Sequence, residues 1–246
     1  MYRLLIIFLL AFTASADLVK TKARVMSADY RCDLEELARV RDELASDTSY
    51  LGRYWSAYAS WRIAINGANQ GMKNEELVKH LRTAAMEFYA SIRAKEDFAD
   101  AYAAASLVNG WLATFSAADD PLAMRERIVL ASMLLARGES LDAKNPRVLW
   151  TRAAFFFYSP PTMGGSVPRA IEVYAQMRDE AEKRGTNAAS PLPDWGKPEA
   201  LMSLAFAHLR QGEVAKAREN AQAALKAQPE WSYVKNTLLP QIDATK

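Results

Sequence analysis

Apolar residues recur at every third or fourth position along most of this 246-residue chain. This spacing places them on one face of an α-helix, whereas a half-buried strand would alternate apolar and polar residues. Alanine is abundant, glycine is scarce, and no runs of β-branched residues interrupt the pattern. The pattern therefore predicts an all-α protein. The predicted helices cover residues 27–45, 48–67, 73–96, 98–116, 121–142, 147–158, 167–184, 198–211, 214–227 and 230–242.

The clearest internal unit is PEALMSLAFAHLRQGEVAKARENAQAALKAQP, which runs from Pro198 to Pro229. Small residues at regular intervals would let its two helices approach closely. Gly212 would allow a tight turn between the helices, and Pro229 would stop the second helix. The unit therefore predicts two closely packed helices.

This unit resembles a tetratricopeptide repeat (TPR), a helix–turn–helix of 34 residues that stacks on its neighbours. His208 and Ala221 depart from the family pattern, because each stands where a larger apolar or aromatic side chain is usual. The resemblance implies a right-handed α-α superhelix, a TPR-like solenoid of about four helix pairs with capping helices. The matching residues are Leu201, Leu204, Ala205, Gly212, Ala217, Ala224 and Pro229.

The stretch YSPPTMGGSVPRA, residues 158–170, has two interpretations. It could be a glycine loop that holds an anion, or an enlarged turn between the helices of the preceding repeat. A P-loop requires G-x-x-x-x-G-K-[ST] after a strand, but here Gly164 and Gly165 are adjacent, no lysine follows and a helix precedes. Ser166 is a suitable N-cap, and Pro168 fits the first turn of a helix. The residues favour a turn with four inserted positions.

The N-terminal residues have the features of a secretory signal. Met1–Arg3 carries one positive charge, Leu4–Thr13 is apolar, and Ala14–Ala16 is an A-x-A cleavage site. We expect cleavage between Ala16 and Asp17. The apolar run is shorter than the roughly 20 residues of a membrane span, so no stable span is expected after cleavage; an uncleaved anchor is the alternative. The predicted division is a signal peptide over 1–16 and a TPR-like domain over 17–246.

The segments PPTMGG and PDWGKPEAL also resemble a pattern in small exported bacterial TPR proteins, among them periplasmic subunits associated with substrate-capture transporters. Together with the signal sequence, this resemblance implies a periplasmic or secreted protein. The net charge is +2 and the two signs are interleaved. A basic patch is typical of nucleic-acid-binding proteins, so no nucleic-acid partner is expected.

Few residues could carry chemistry. Cys32 is the only cysteine, so the chain cannot form an internal disulfide. The two histidines, His80 and His208, have no neighbouring ligand pattern, and a zinc site would need about four N, S or O ligands. No catalytic triad, metal-ligand set or phosphate loop appears. We therefore expect neither a metal nor another cofactor, and no enzymatic activity.

The TPR resemblance implies that one face of each first helix lines a concave groove. Grooves that bind acidic peptide tails are rich in lysine, arginine and asparagine, but this groove would be apolar and aromatic. An apolar groove is typical of sites for apolar segments or molecules. The candidate contacts are Leu107, Trp111, Phe155, Tyr158 and Phe206 as apolar anchors and Arg210 as an anionic contact.

Two functions fit such a groove. The first is a non-catalytic scaffold that binds a protein or peptide partner, and the second is a periplasmic carrier of a hydrophobic small molecule associated with a transporter. An enclosed pocket beside Trp111 and Phe155 would favour the carrier, and an open groove would favour the scaffold. Flanking helices that fill the groove are a further alternative. A dense aromatic cluster is predicted to be core or ligand contact: Tyr50, Tyr54, Trp55, Tyr58 and Trp61.

Overall fold

A computed structural model describes residues 2–116 and 120–245, with side chains over 17–115 and 120–245. Helices fill most of this part and no strand occurs within it, so the predicted all-α class is confirmed. The helices are α1 Tyr2–Arg31, α2 Leu34–Glu43, α3 Tyr50–Asn69, α4 Asn74–Ala94, α5 Ala99–Ser116, α6 Pro121–Asp142, α7 Pro146–Tyr158, α8 Val167–Arg184, α9 Lys197–Arg210, α10 Val214–Ala227 and α11 Leu239–Ala244, with a 3₁₀ turn at Pro161–Met163 and a π-helical segment at Val234–Leu238.

The predicted signal peptide, residues 1–16, lies outside the described side chains and stays a prediction. Each helix is too short or too polar, over its described residues, to span a lipid bilayer.

Consecutive helices pack in four pairs, as the repeat pattern predicts. Helix α3 packs against α4, α5 against α6, α7 against α8 and α9 against α10. The pairs then stack, because α4 also contacts α5, α5 contacts α7 and α8 contacts α9. Helices α1 and α2 cover the first pair, and α11 packs on α10. The result is a layered stack in which one large apolar cluster extends from α1 to α9 and a second one joins α9, α10 and the C-terminal segment.

Small residues bring the last pair together. Ala205 of α9 faces the alanines of α10, and all of them are completely buried. Gly212, in the turn between the two helices, has a φ of 77°, a left-handed conformation that glycine adopts without steric strain. The buried alanines of α10 are Ala217, Ala221 and Ala224.

The glycine-containing stretch between α7 and α8 is a structural turn. Gly164 has a left-handed φ of 87°, and a Cβ on Gly165 would lie 1.8 Å from the Ser159 carbonyl oxygen. The Ser166 amide donates to the Phe156 carbonyl oxygen at 2.8 Å, and its hydroxyl caps α8. These contacts close the chain back on α7, so the interpretation as an enlarged turn is confirmed.

Two of the predicted helices are not continuous α-helices in the structure. The helix predicted over 27–45 is broken, because Cys32 adopts a left-handed φ of 56° and Asp33 caps a new helix by accepting from the Glu36 amide. The helix predicted over 230–242 contains a π-helical stretch just before Pro240. Proline has no amide hydrogen, and one missing donor favours such a local change of hydrogen bonding.

The link between α8 and α9, residues 185–196, is anchored to the core. Trp195 is only 4% exposed. Lys22 of α1 pairs with Asp194 at 2.8 Å, and Arg147 of α7 donates to the Trp195 carbonyl oxygen at 2.9 Å. The link therefore ties α1 and α7 together behind the helix stack.

Candidate functional site

The first helices of the four pairs surround a cavity of about 190 Å³. Helices α3, α5, α7 and α9 supply most of its wall, and α8 supplies Tyr174. The chain after α10 adds Trp231 and Tyr233, so the space is bounded on a further side. The lining residues are Trp61, Arg62, Ile65, Asn66, Asn69, Leu107, Trp111, Trp150, Ala154, Phe157, Tyr158, Tyr174, Met202, Ser203, Phe206, Trp231 and Tyr233.

Aromatic rings form four contacts around this cavity, one of them between Phe157 and Tyr158, whose centroids are 4.8 Å apart. The Trp61 and Trp150 rings are 5.7 Å apart between centroids. The Trp111 and Tyr158 rings are 6.1 Å apart, and the Phe206 and Tyr233 rings stack at 6.0 Å. These distances are within the range in which aromatic pairs attract one another. The cavity is therefore walled by flat, mutually packed rings.

A second layer holds these rings in place. The Trp150 indole nitrogen donates to the Ser203 hydroxyl at 2.9 Å, which fixes the ring orientation between α7 and α9. Trp195 lies edge-on to Trp150 at 5.2 Å, and its own indole nitrogen donates to the Tyr54 hydroxyl. Because both indoles are hydrogen-bonded, with Trp195 buried and Trp150 partly buried, this side of the cavity is preorganised.

The wall that α3 contributes is the polar one. Arg62 is the only charged residue among the described lining residues, and its Nε donates to Asp29 of α1 at 2.6 Å. Burial alone would lower the pKa of Arg62, but Asp29 and Tyr58 oppose this effect and the net direction is upward. Asn66 donates to the same Asp29 carboxylate at 3.0 Å. The cavity therefore holds one permanent positive charge in an otherwise neutral lining.

A buried carboxyl lies behind the Trp231 side of the cavity. Tyr30 of α1 packs edge-on to Trp231 at 5.1 Å and donates its hydroxyl to Glu199 Oε1. Glu199 Oε2 is buried without a partner among the described residues. Burial raises the pKa of Glu199. This group connects α1, α9 and the C-terminal segment.

The structure places four of the six predicted contacts around the cavity: Leu107, Trp111, Tyr158 and Phe206. Phe155 lies outside it; its ring is 38% exposed and packs edge-on to Phe156. Arg210 also lies outside it, because its guanidinium donates to the Phe157 carbonyl oxygen and stacks over the Phe157 ring. Binding by any of the six stays a prediction.

Sequence reasoning missed most of the remaining wall. Trp150 and Phe157 occupy repeat positions that normally fill the seam between paired helices, yet both reach the cavity. The size of these side chains could have indicated this, since a tryptophan is too large to fit entirely between two helices that are packed through alanines. Trp231 and Tyr233 follow the last repeat, outside the repeat template. Of the aromatic cluster in α3, only Trp61 lines the cavity, and the other rings lie elsewhere.

The side chains of His208 and Cys32 are not among the residues that line the cavity. His208 Nδ1 lies 2.6 Å from Glu213 Oε2, across the α9–α10 turn. Burial raises the pKa of the half-buried Cys32 thiol, which makes it a weaker nucleophile. Over the described residues, no group of three or more histidine, cysteine, aspartate or glutamate side chains is arranged to hold a metal ion.

Two solved structures share this fold. The HusA haemophore from Porphyromonas gingivalis is similar with a TM-score of 0.56 and 16% identity, over 77% of this chain and 92% of the haemophore chain. TTC0263, a thermophilic TPR protein of Thermus thermophilus, is similar with a TM-score of 0.53 and 15% identity, over 91% of this chain and 96% of that one. No family model matches the chain, and no curated protein matches it.

At these identities the likeness concerns the fold alone. The chain has a TPR-like helical-repeat fold, an all-α superhelix of paired helices, as the repeat pattern predicts. A fold of this kind is a helical scaffold, and its function depends on the site built upon it.

Proposed function

We propose that this protein is a non-catalytic helical-repeat protein that binds an apolar, ring-bearing small molecule in the aromatic cavity. The observation that carries the proposal is the lining, in which tryptophan, tyrosine and phenylalanine side chains from five helices and the C-terminal segment face one space. Small-molecule sites are mostly apolar with a few placed polar groups, and this lining has that composition.

The size of the cavity supports a small ring system. A cavity of about 150 Å³ with an apolar lining can hold a benzene molecule, and the cavity here is about 190 Å³. Tyr158 and Asn69 are exposed, so a larger ligand could extend past them into solvent. One structural neighbour is a haemophore, which supports a flat ring ligand by fold-level analogy.

The proposal includes export from the cytoplasm, to a periplasmic or secreted location. It rests on the basic, apolar and A-x-A segments of residues 1–16. A ligand carrier in that compartment would accompany a transporter, as the resemblance to exported TPR proteins implies.

A protein partner is the second candidate. Helix α6 exposes Leu122, Val129 and Met133, which are spaced seven and four residues apart and so share one helix face. An exposed apolar face of this kind favours a partner. We rank a protein partner second. A partner segment would lie in a groove formed by the first helices alone, whereas Trp231 and Tyr233 also line this space.

The test uses N-phenyl-1-naphthylamine, an uncharged probe whose fluorescence rises when it leaves water for an apolar site. We expect saturable binding with one probe per chain. Trp111→Ala should weaken it about tenfold, because one aromatic contact is removed and tenfold corresponds to about 1.4 kcal/mol. The control is Phe155→Ala, which removes a ring that faces solvent outside the cavity and should leave the affinity unchanged.

Absence of saturable binding, or equal weakening by Trp111→Ala and Phe155→Ala, would contradict the proposal. Circular dichroism of both variants checks that the helical fold is retained. The second candidate would then be tested by replacing Val129 and Met133 with serine and measuring partner capture.

A further inference from the structure

Three of the polar side chains in the cavity share one helix. Arg62, Asn66 and Asn69 lie one turn apart along α3, and Trp61 precedes them. Residues at these spacings share one helix face. The ligand space therefore has a polar wall on α3, in addition to the aromatic residues of α5, α7 and α9.

The guanidinium of Arg62 uses only part of its hydrogen-bonding capacity. Its Nε donates to Asp29, but its two terminal nitrogens have no acceptor among the described residues. The Asp29 carboxylate also accepts hydrogen bonds from the Tyr58 hydroxyl at 3.1 Å and from the Asn66 amide at 3.0 Å. Arginine has five N–H donors in a flat fork. The donors left over belong to a residue that lines the cavity.

A second donor lies next to the first. Trp61 is 1% exposed, and its indole nitrogen is buried without a partner in the described part of the chain. The Arg62 guanidinium lies over the Trp61 ring at 5.3 Å. A buried donor without an acceptor destabilises the folded protein, so an acceptor supplied by a ligand would be favoured there. By contrast, the Ser203 hydroxyl in the same cavity already accepts from Trp150.

Another arginine of this chain shows how one guanidinium can serve two carboxylates. The Arg24 Nε donates to Glu36 at 2.7 Å, while its terminal nitrogens bind both oxygens of Glu43 at 2.6 and 3.1 Å. Arg62 has its Nε on Asp29 in the same way, and the position that Glu43 takes on Arg24 is open on Arg62. Paired N–H···O bonds to a carboxylate are among the strongest hydrogen bonds in proteins.

We infer that the ligand of the cavity carries an acidic group, a carboxylate or a similar oxyanion, on its ring system. The terminal nitrogens of Arg62 and the indole N–H of Trp61 bind this group, and the aromatic wall binds the rings. The inference rests on the proposed function and adds the charge of the ligand to it. Because the free groups are donors only, they would not favour a cationic ligand.

The test compares two ligands that share a ring. In competition with N-phenyl-1-naphthylamine, we expect 1-naphthaleneacetate, which carries a carboxylate, to bind about tenfold tighter than neutral 1-naphthaleneethanol. The double variant Asp29→Asn/Arg62→Gln removes both charges and keeps hydrogen-bonding groups at each position. It should lose the carboxylate preference while its affinity for the neutral probe stays within about twofold.

Two further variants complete the test. Arg62→Lys keeps the charge but presents one compact ammonium, so it cannot serve Asp29 and the ligand in the same way, and the preference should fall. If the double variant does not fold, Arg62→Lys alone tests whether Arg62 causes the carboxylate preference. The control Arg53→Gln removes another arginine of α3, which pairs with Glu87 outside the cavity, and should leave the preference unchanged.

Equal affinity for the two naphthalene ligands, with the neutral probe still bound, would overturn the inference and leave the proposed function standing. A carboxylate preference that persists in both Arg62 variants would also overturn it. Failure of the neutral probe to bind would remove the proposed function and this inference with it.

Discussion

Glu199 is a carboxyl group in a place where its charge is poorly compensated. It is 5% exposed, and Tyr30 is the donor that bonds its side chain. Burial raises its pKa, and nearby Asp29 acts in the same direction. The folded protein therefore binds a proton at Glu199 more tightly than the unfolded chain does. This contribution to stability is complete below the unfolded value near 4.5 and is lost as the pH rises through the folded value.

Glu199→Gln tests this assignment, because it keeps the shape of the side chain and removes the titration. Relative to the wild type, the variant should lose less unfolding free energy between pH 5 and pH 8. The difference in slope is at most about 1.4 kcal/mol per pH unit for one proton. Urea unfolding at several pH values measures it.

The matched control is Glu219→Gln, at an exposed position of α10. It should leave the pH dependence as it is in the wild type. Parallel pH profiles for the wild type and Glu199→Gln would show that Glu199 is ionised in the folded protein across the whole range, contrary to our assignment.

Among the elements, the turn between α7 and α8 is the most demanding connection. The Cβ of an alanine at Gly165 would overlap the Ser159 backbone, which is held to α7 by the hydrogen bond from the Ser159 amide to the Phe155 carbonyl oxygen. Gly165→Ala should therefore destabilise the protein by about 2–3 kcal/mol. Urea unfolding should show this as a lower midpoint concentration, with an unchanged dependence of the unfolding free energy on urea.

Gly110 of α5 provides the opposite case. A Cβ at this position meets no atom within 4 Å. Gly110→Ala should stabilise the helix by about 0.5–1 kcal/mol, since alanine restricts the unfolded chain more than glycine does. If Gly165→Ala proved as harmless as Gly110→Ala, the turn would have a different conformation from the one described here.

The repeat pattern could predict the paired helices because local rules determine them. Alanine spacing placed the Ala205 and Ala217 contact, and turn chemistry placed Gly212 and Ser166. The candidate site could be predicted less well from the sequence, because helix rotation and long-range contacts decide which residues face the cavity. Phe155 directly follows cavity-lining Ala154, and the step of about 100° between neighbouring residues of an α-helix turns its side chain away from the cavity. Trp231 and Trp195 take their places through contacts with distant helices, which a repeat template does not contain.

At the scale of the whole molecule, the two ends of the helix stack are joined. An open solenoid is held together by contacts between neighbouring repeats, so its ends can unfold independently. Here Tyr30 of α1 contacts both Glu199 of the last pair and Trp231 beyond it. Lys22 of α1 also pairs with Asp194 in the segment before that pair. These contacts should couple the stability of α1 to that of the C-terminal helices.

Trp231→Ala tests this coupling. Removal of a buried tryptophan should lower the unfolding free energy by about 3–5 kcal/mol. Because Trp231 packs on Tyr30, hydrogen exchange should accelerate in the described C-terminal half of α1 as well as in α10 and α11. The control Ile242→Ala also empties a buried position in α11, and its effect should be concentrated in α10 and α11. Faster exchange limited to α10 and α11 in both variants would mean that the repeats act as independent neighbours, and that the cavity wall built by Trp231 can open without disturbing α1.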